Sequence, residues 1–216
     1  MKRSPLYVIG RTLLMPIFKL LFFYKINGKE NVPDDGPYII CSNHLSNCDP
    51  VFLAITQKRQ IYYMAKIELF KNPVMGWLYR HLGAFPVQRG AGDGKAINEA
   101  ENIVRDGKLL GIFIEGTRSK TGELGRAHAG AILIAHQTNT PITPCCITPR
   151  TGFFTPFKKT KVMFGEPITC EELGVKEGTN REYREAAKKV MEIIADMRKK
   201  HREEFDGKKR KQKKEE

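Results

Sequence analysis

The chain lacks most of the devices that identify a protein at sight. Its five cysteines are odd in number and include no Cys-x-x-Cys pair, which excludes a disulfide framework and fits reduced thiols in a cytoplasm. Cys48 stands between His44 and Asp49, but no second His/Cys cluster completes a ligand set, and no metal is expected. No Gly-x-Gly-x-x-Gly follows a strand pattern and no Walker loop occurs. Gly90, Gly92 and Gly94 lack both the spacing and the lysine of a phosphate cradle. No internal repeat is present. The apolar N-terminal stretch is followed by no small-residue cleavage site. Arg11 and Lys19 confine the charge-free run between them to residues 12–18, far short of the roughly 20 apolar residues a spanning helix needs.

Net charge is what the chain has in excess, and its placement matters. Of the total +13, residues 1–30 hold six Lys/Arg against one Glu, and residues 198–216 hold ten Lys/Arg against five Asp/Glu. The body between them carries only +3. Basic ends on a nearly balanced body suit a polyanionic surface, either anionic lipid or nucleic acid. No nucleic-acid recognition motif appears, so lipid is the better fit.

Residues 6–24 mix Leu, Ile, Val and aromatic residues with Arg11 and Lys19, and Pro16 interrupts them. This predicts one or two amphipathic helices in a membrane interface. Phe18, Phe22, Phe23 and Tyr24 would be buried in lipid and the basic side chains would reach headgroups. A helix packed on the protein's own core is the alternative.

Beyond residue 30 the pattern alternates. Short apolar runs at 38–41, 61–64, 84–87, 109–114, 142–147 and 161–164 read as strands. Stretches 51–56, 68–82, 93–105 and 129–136 read as helices, with a break at Pro73. Thr179 and Glu182 form a capping-box pair opening a helix with Tyr183, Ala187, Val190, Ile194 and Met197 on one face. The class is therefore α/β: a single domain with a mixed, mostly parallel central sheet flanked by helices, and amphipathic helices at the N-terminus. Residues 1–30 are assigned to those helices, 31–205 to the domain proper, and 206–216 to a basic, disordered tail.

The run Asn43-His44-Leu45-Ser46-Asn47-Cys48-Asp49-Pro50 follows the first core strand. It puts an imidazole just past a strand's carboxyl end, where ligands bind in α/β sheets. Pro50 suits the first turn of a helix and Asp49 its N-cap. A loop of that length can bring the carboxylate back onto the imidazole. A histidine so held has one tautomer and one free basic nitrogen, enough to take a proton from a substrate hydroxyl. Read alone, the run fits a helix cap and a loop histidine equally well.

A second strand runs directly into Glu115-Gly116-Thr117-Arg118-Ser119 at the same sheet edge. Arg118 offers a planar fork suited to phosphate, and Glu115 suits anchoring that arginine or meeting a substrate hydroxyl. Lys66 and Arg89 also follow closely on the ends of the strand runs at 61–64 and 84–87. Each cation alone fits a surface ion pair; their shared position suggests an anionic ligand.

Five segments then occur in order: His44-x4-Asp49; Ala65-Lys66-x-Glu68-Leu69; Gly83-x-x-Pro86-Val87-x-Arg89; Phe113-Ile114-Glu115-Gly116-Thr117-Arg118-Ser119; and Pro141-Ile142-x-Pro144. Together, over about residues 38–168, the chain resembles the glycerolipid acyltransferases, most closely those that acylate 1-acylglycerol 3-phosphate. The resemblance implies that His44 is the general base and Asp49 its orienting partner. It implies that Lys66, Arg89, Glu115, Gly116, Thr117 and Arg118 form the acceptor phosphate site. It also implies an acyl-CoA or acyl-carrier-protein co-substrate with no cofactor, a membrane lipid acceptor, and a place on the cytoplasmic face of the membrane. The chain departs from the family's pattern at Ile114, where proline is usual, at His128, where relatives often carry a nearby lysine, and at Cys145–Cys146, where valines are common. Two other readings stay open: a sister enzyme acting on glycerol 3-phosphate or another lysophospholipid, and a non-enzymatic basic protein binding membrane or nucleic acid.

Overall fold

The structure, a computed structural model, describes residues 3–88 and 94–215. It begins with α1 (Pro5–Phe22), β1 (Lys25–Asn27), β2 (Tyr38–Ser42) and α2 (Asp49–Thr56). There follow β3 (Ile61–Lys66), a 3-10 turn (Ile67–Phe70), α3 (Pro73–His81), β4 (Ala84–Val87), α4 (Gly94–Arg105) and β5 (Leu109–Phe113). The chain ends with α5 (Gly130–Gln137), β6 (Ile142–Pro149), β7 (Thr160–Phe164) and α6 (Asn180–Glu215).

The strands form one seven-stranded sheet in the order β1-β7-β6-β2-β5-β3-β4. From β6 to β4 every pairing is parallel. β7 runs antiparallel to β6, and β1 runs parallel to β7. The mixed, mostly parallel sheet expected from the sequence is therefore present. β2 and β6 are buried along their whole length, as strands covered on both faces must be. Alternate residues feed two cores. Ile39 and Cys41 join Val104, Ile132, Val190 and Ile194 from α4, α5 and α6. Tyr38 and Ile40 join Phe18, Phe22, Phe52 and Leu53 from α1 and α2.

The N-terminal segment differs from expectation in two ways. Residues 25–27 are not helical but form an edge strand of the sheet. Moreover Phe18, Phe22 and Tyr24 are buried in the protein's own core, edge-on to Phe52 of α2 or tilted against each other, with centroids 5.0–6.0 Å apart. Phe52 gives those rings an aromatic wall to pack against. Arg11 does not reach outward either. Its Nε donates to the carbonyls of Ala54 (3.2 Å) and Gln57 (2.8 Å), Arg3 donates to the Lys58 carbonyl, and the Tyr7 hydroxyl donates to that of Arg59. These carbonyls lie at and just past the C-terminus of α2, where a helix leaves acceptors without intrahelical partners. Burial pushes the Tyr7 phenol up to about 12, so it remains a donor at neutral pH. The outer face of α1 is left apolar, with Ile9, Leu13, Ile17 and Leu20 exposed along one stripe.

At the other end the capping box forms as expected. Thr179 N donates to Glu182 Oε2 and Glu182 N to Thr179 Oγ1. The chain beyond Phe205, expected to be an irregular tail, continues the helix to Glu215.

Candidate active site

β2 delivers the chain into the histidine loop, and Asn43 fixes the exit. Its amide exchanges two hydrogen bonds with the backbone of Ile147 on β6, at 3.0 and 2.8 Å, and is fully buried. His44 follows, 9% exposed. Asp49 was expected to cap the next helix. It is instead the first helical residue, with Cys48 at the cap position, and its carboxylate turns back into the loop. Oδ2 accepts from His44 Nδ1 at 2.7 Å, from Leu45 N at 2.6 Å and from Ser46 N at 2.8 Å. The backbone amides thus place the carboxylate, and the carboxylate places the ring. With Nδ1 donating, Nε2 is the basic nitrogen, and it has no hydrogen-bond partner among the described residues.

The ring is also fixed from its face. His44 stacks on Phe113 (4.0 Å, 14°), and Phe113 stacks on Tyr63 (6.0 Å, 9°). Tyr63 in turn donates to the carbonyl of Pro50 at the start of α2. Gly111 makes room for this column: a Cβ there would lie 2.4 Å from Tyr63 Cε1. Neither Tyr63 nor Phe113 was singled out from the sequence. The one available signal was Gly111, a lone glycine inside an apolar strand, which marks a close approach.

The loop after β5 is tied to the histidine loop by three hydrogen bonds. Ile114 N donates to Ser42 O, Ser119 N donates to His44 O at 2.8 Å, and His44 N donates to Glu115 Oε1 at 2.9 Å. The other Glu115 oxygen accepts from Gly125 N at 2.7 Å, and a Cβ on residue 125 would come within 2.8 Å of it. Glu115, grouped with the phosphate-contacting residues by resemblance, is therefore buried, with both oxygens occupied by backbone amides. It joins three segments and holds the backbone of His44. Gly116 makes the turn in the left-handed region at φ +66°, where a Cβ would press on the His128 ring.

The cations stand differently. Arg118 is exposed, and its Nη1 donates to Asn47 Oδ1 at 3.0 Å, so it leans over the histidine loop. Thr117 beside it is exposed. Lys66, at the end of β3 next to β5, is exposed and pairs with Glu68 at 3.0 Å. Arg89 lies outside the described residues. The structure thus brings His44, Asp49, Glu115 and Arg118 into one connected set and leaves Lys66 on the neighbouring strand end.

A carboxylate-held imidazole at a sheet's carboxyl edge, with a guanidinium over the same loop, can deprotonate a hydroxyl on a molecule that carries an anionic group. Comparisons with known proteins point the same way. The acyltransferase family profile matches residues 24–148. A 1-acyl-sn-glycerol-3-phosphate acyltransferase of Bacillus subtilis (strain 168) is 32% identical over 166 residues, covering 76% of this chain and 82% of that protein. An enzyme of the same name from Streptococcus pneumoniae is also 32% identical, over 71% of this chain and 61% of its own length. The crystal structure of the 1-acyl-sn-glycerophosphate acyltransferase from Thermotoga maritima superposes with a TM-score of 0.65, covering 94% of this chain and 82% of that one. At 23% identity this likeness bears on the fold.

Proposed function

The chain belongs to the acyltransferase family, and on that premise we propose that it acylates 1-acylglycerol 3-phosphate. The fatty acyl group comes from an acyl thioester, acyl-CoA or acyl-carrier protein, and goes to the free sn-2 hydroxyl, giving phosphatidate. The observation that carries the reading is the 2.7 Å pair between His44 Nδ1 and Asp49 Oδ2, set in a loop that its own backbone amides organise.

In this mechanism His44 Nε2 takes the proton of the acceptor hydroxyl as that oxygen attacks the thioester carbonyl. Asp49 stabilises the imidazolium that forms. The tetrahedral intermediate collapses, the C–S bond breaks, and the departing thiolate recovers the proton from His44. The exchange is redox-neutral and forms no covalent enzyme intermediate. Arg118 binds the acceptor phosphate, Lys66 supplies further positive charge at the same sheet edge, and the family resemblance adds Arg89 to that set. Glu115 acts through the backbone of His44 rather than on substrate.

The setting is the cytoplasmic face of the membrane. α1 is long and apolar enough to cross a membrane, but Tyr7 near its start and Phe18 and Phe22 near its end pack on the domain. That attachment favours a helix lying flat, with the Ile9–Leu20 stripe toward lipid.

The test is acyl transfer by purified protein in detergent micelles, read as thiol release. Lysophosphatidate should be accepted in preference to glycerol 3-phosphate, with acyl-CoA or, failing that, acyl-carrier protein as donor. His44→Ala should lower kcat by about 10²–10⁴ with little change in thermal midpoint. Arg118→Ala should raise the acceptor KM about tenfold with a smaller effect on kcat. A His44→Ala variant near wild-type activity would remove the assignment, and a preference for an acceptor without phosphate would move it to a sister reaction.

A further inference from the structure

A second exposed apolar surface adjoins α1, on the 3-10 turn and α3. Ile67, Leu69, Val74, Met75 and Trp77 are all exposed, Val74 at 70% and Trp77 at 54%. Val74 and Trp77 are three apart on α3 and share one face. Five exposed apolar side chains clustered on two adjoining elements form a patch that calls for an occupant.

The surface is built on a fixed support. Asn72 caps α3, its side chain accepting from Val74 N and Met75 N. Gly76 packs so closely that a Cβ would stand 3.1 Å from the Phe70 carbonyl oxygen, and the Arg80 guanidinium lies 5.1 Å over the Phe70 ring. Turn and helix therefore present their apolar side chains as one rigid piece.

Two observations identify what covers it. The first is charge. Lys71 and Arg80 are exposed on the same piece, and no Asp or Glu occurs from residue 69 to residue 92. Glu68, the one acid on the turn, is exposed but paired with Lys66 at 3.0 Å, so the rim is net cationic; that disfavours another copy of this +13 chain and matches anionic headgroups. The second is continuity with α1. The end of α3 abuts that helix: a Cβ on Gly10 would be 3.8 Å from Leu82 Cδ2. Gln60 links the two, accepting from Ser4 N and donating to the His81 carbonyl. The turn also begins directly after Lys66, at the sheet edge that carries the His44 loop.

We propose that the 3-10 turn and α3 form a second bilayer-contact surface, distinct from α1. Trp77 sits at the boundary between headgroups and acyl chains, where indole is favoured, with Lys71 and Arg80 on headgroup phosphates. The inference rests on the reading that the acceptor is a membrane lipid. Contacts on α1 and α3 together fix how the domain lies and hold the carboxyl edge of the sheet at the surface that contains the acceptor.

The chain has a single tryptophan, so Trp77 reports on this surface without labelling. The protein is mixed with vesicles of phosphatidylglycerol and phosphatidylethanolamine, sedimented, and its emission recorded, with and without bromine on the lipid acyl chains. Co-sedimentation with a blue-shifted emission that brominated chains quench is the expected result. Leu69→Ser with Val74→Ser should weaken vesicle binding about tenfold while leaving thermal midpoint and activity in micelles unchanged. Sedimentation with unshifted, unquenched emission would overturn the proposal, leaving α1 as the contact. So would a blue shift that depends on protein concentration and not on vesicles, which would mean contact between copies. Failure to sediment would overturn it too, and acylation of lysophosphatidate in micelles would show that the proposed reaction stands without it.

Discussion

Two histidines are buried in this fold, and one neighbour separates their chemistry. His44 sets Nδ1 against the carboxylate of Asp49. His201, on α6 and 1% exposed, sets Nδ1 against the hydroxyl of Thr148 at 2.9 Å, with Nε2 buried and unpaired. Burial pushes the His201 imidazole down to about 4, the charge of Lys161 pushes the same way, and Glu204 opposes both without reversing them. His201 is thus a neutral ring filling space between α6 and β6. A buried imidazole serves as a base only where a counter-charge waits for the proton it collects; burial without one makes it inert.

The largest expected effect comes from making the first site like the second. Asp49→Asn keeps an acceptor for His44 Nδ1 but removes the charge, and kcat for thiol release should fall by about 10²–10⁴. An unchanged rate would mean that the carboxylate only shapes the loop. A smaller effect concerns stability in acid. His201 titrates near 6.5 when unfolded and near 4 when folded. As pH falls below 6.5 the unfolded chain takes up the proton first, so stability drops through that window and levels off below 4, by about 3 kcal/mol in all. Chemical denaturation at stepped pH should show this slope in the wild type, and His201→Leu should flatten it. A slope that survives the substitution would place the acid sensitivity elsewhere. The smallest effect is on turnover: His201→Leu at neutral pH should stay within about twofold of wild type, because the ring is neutral there and its hydrogen bond goes to Thr148 and not to the His44 loop. A tenfold loss would instead couple α6 to the His44 loop.

The contrast also marks what the amino-acid order could reveal. Strand runs and the capping box at Thr179 are local patterns, and they were readable from spacing alone. His44 and Asp49 were visible because they stand only five positions apart. The hydrogen bonds of Glu115 were not legible, because its partners, His44 N and Gly125 N, are backbone groups that carry no sequence signal. Phe18 and Phe22 were assigned to lipid because nothing local to them announces Phe52, some thirty residues away, as a competing surface. His201 was not singled out at all; its low affinity for protons comes from α6 packing on β6, a tertiary fact.

The attachment of α1 has a practical consequence. A common route to a more soluble enzyme is to trim an apolar N-terminal helix. Here that cut would strip partners from the carbonyls of Ala54, Gln57, Lys58 and Arg59 and uncover Phe52. All of them belong to α2 or its exit, and the opposite end of the same eight-residue helix holds Asp49. A shortened protein would gain solubility at one end of α2 and lose the alignment of the Asp49 carboxylate with His44 at the other. Solubility is better sought by replacing the outward Ile9, Leu13, Ile17 and Leu20 with polar residues while keeping Arg3, Tyr7 and Arg11 in place.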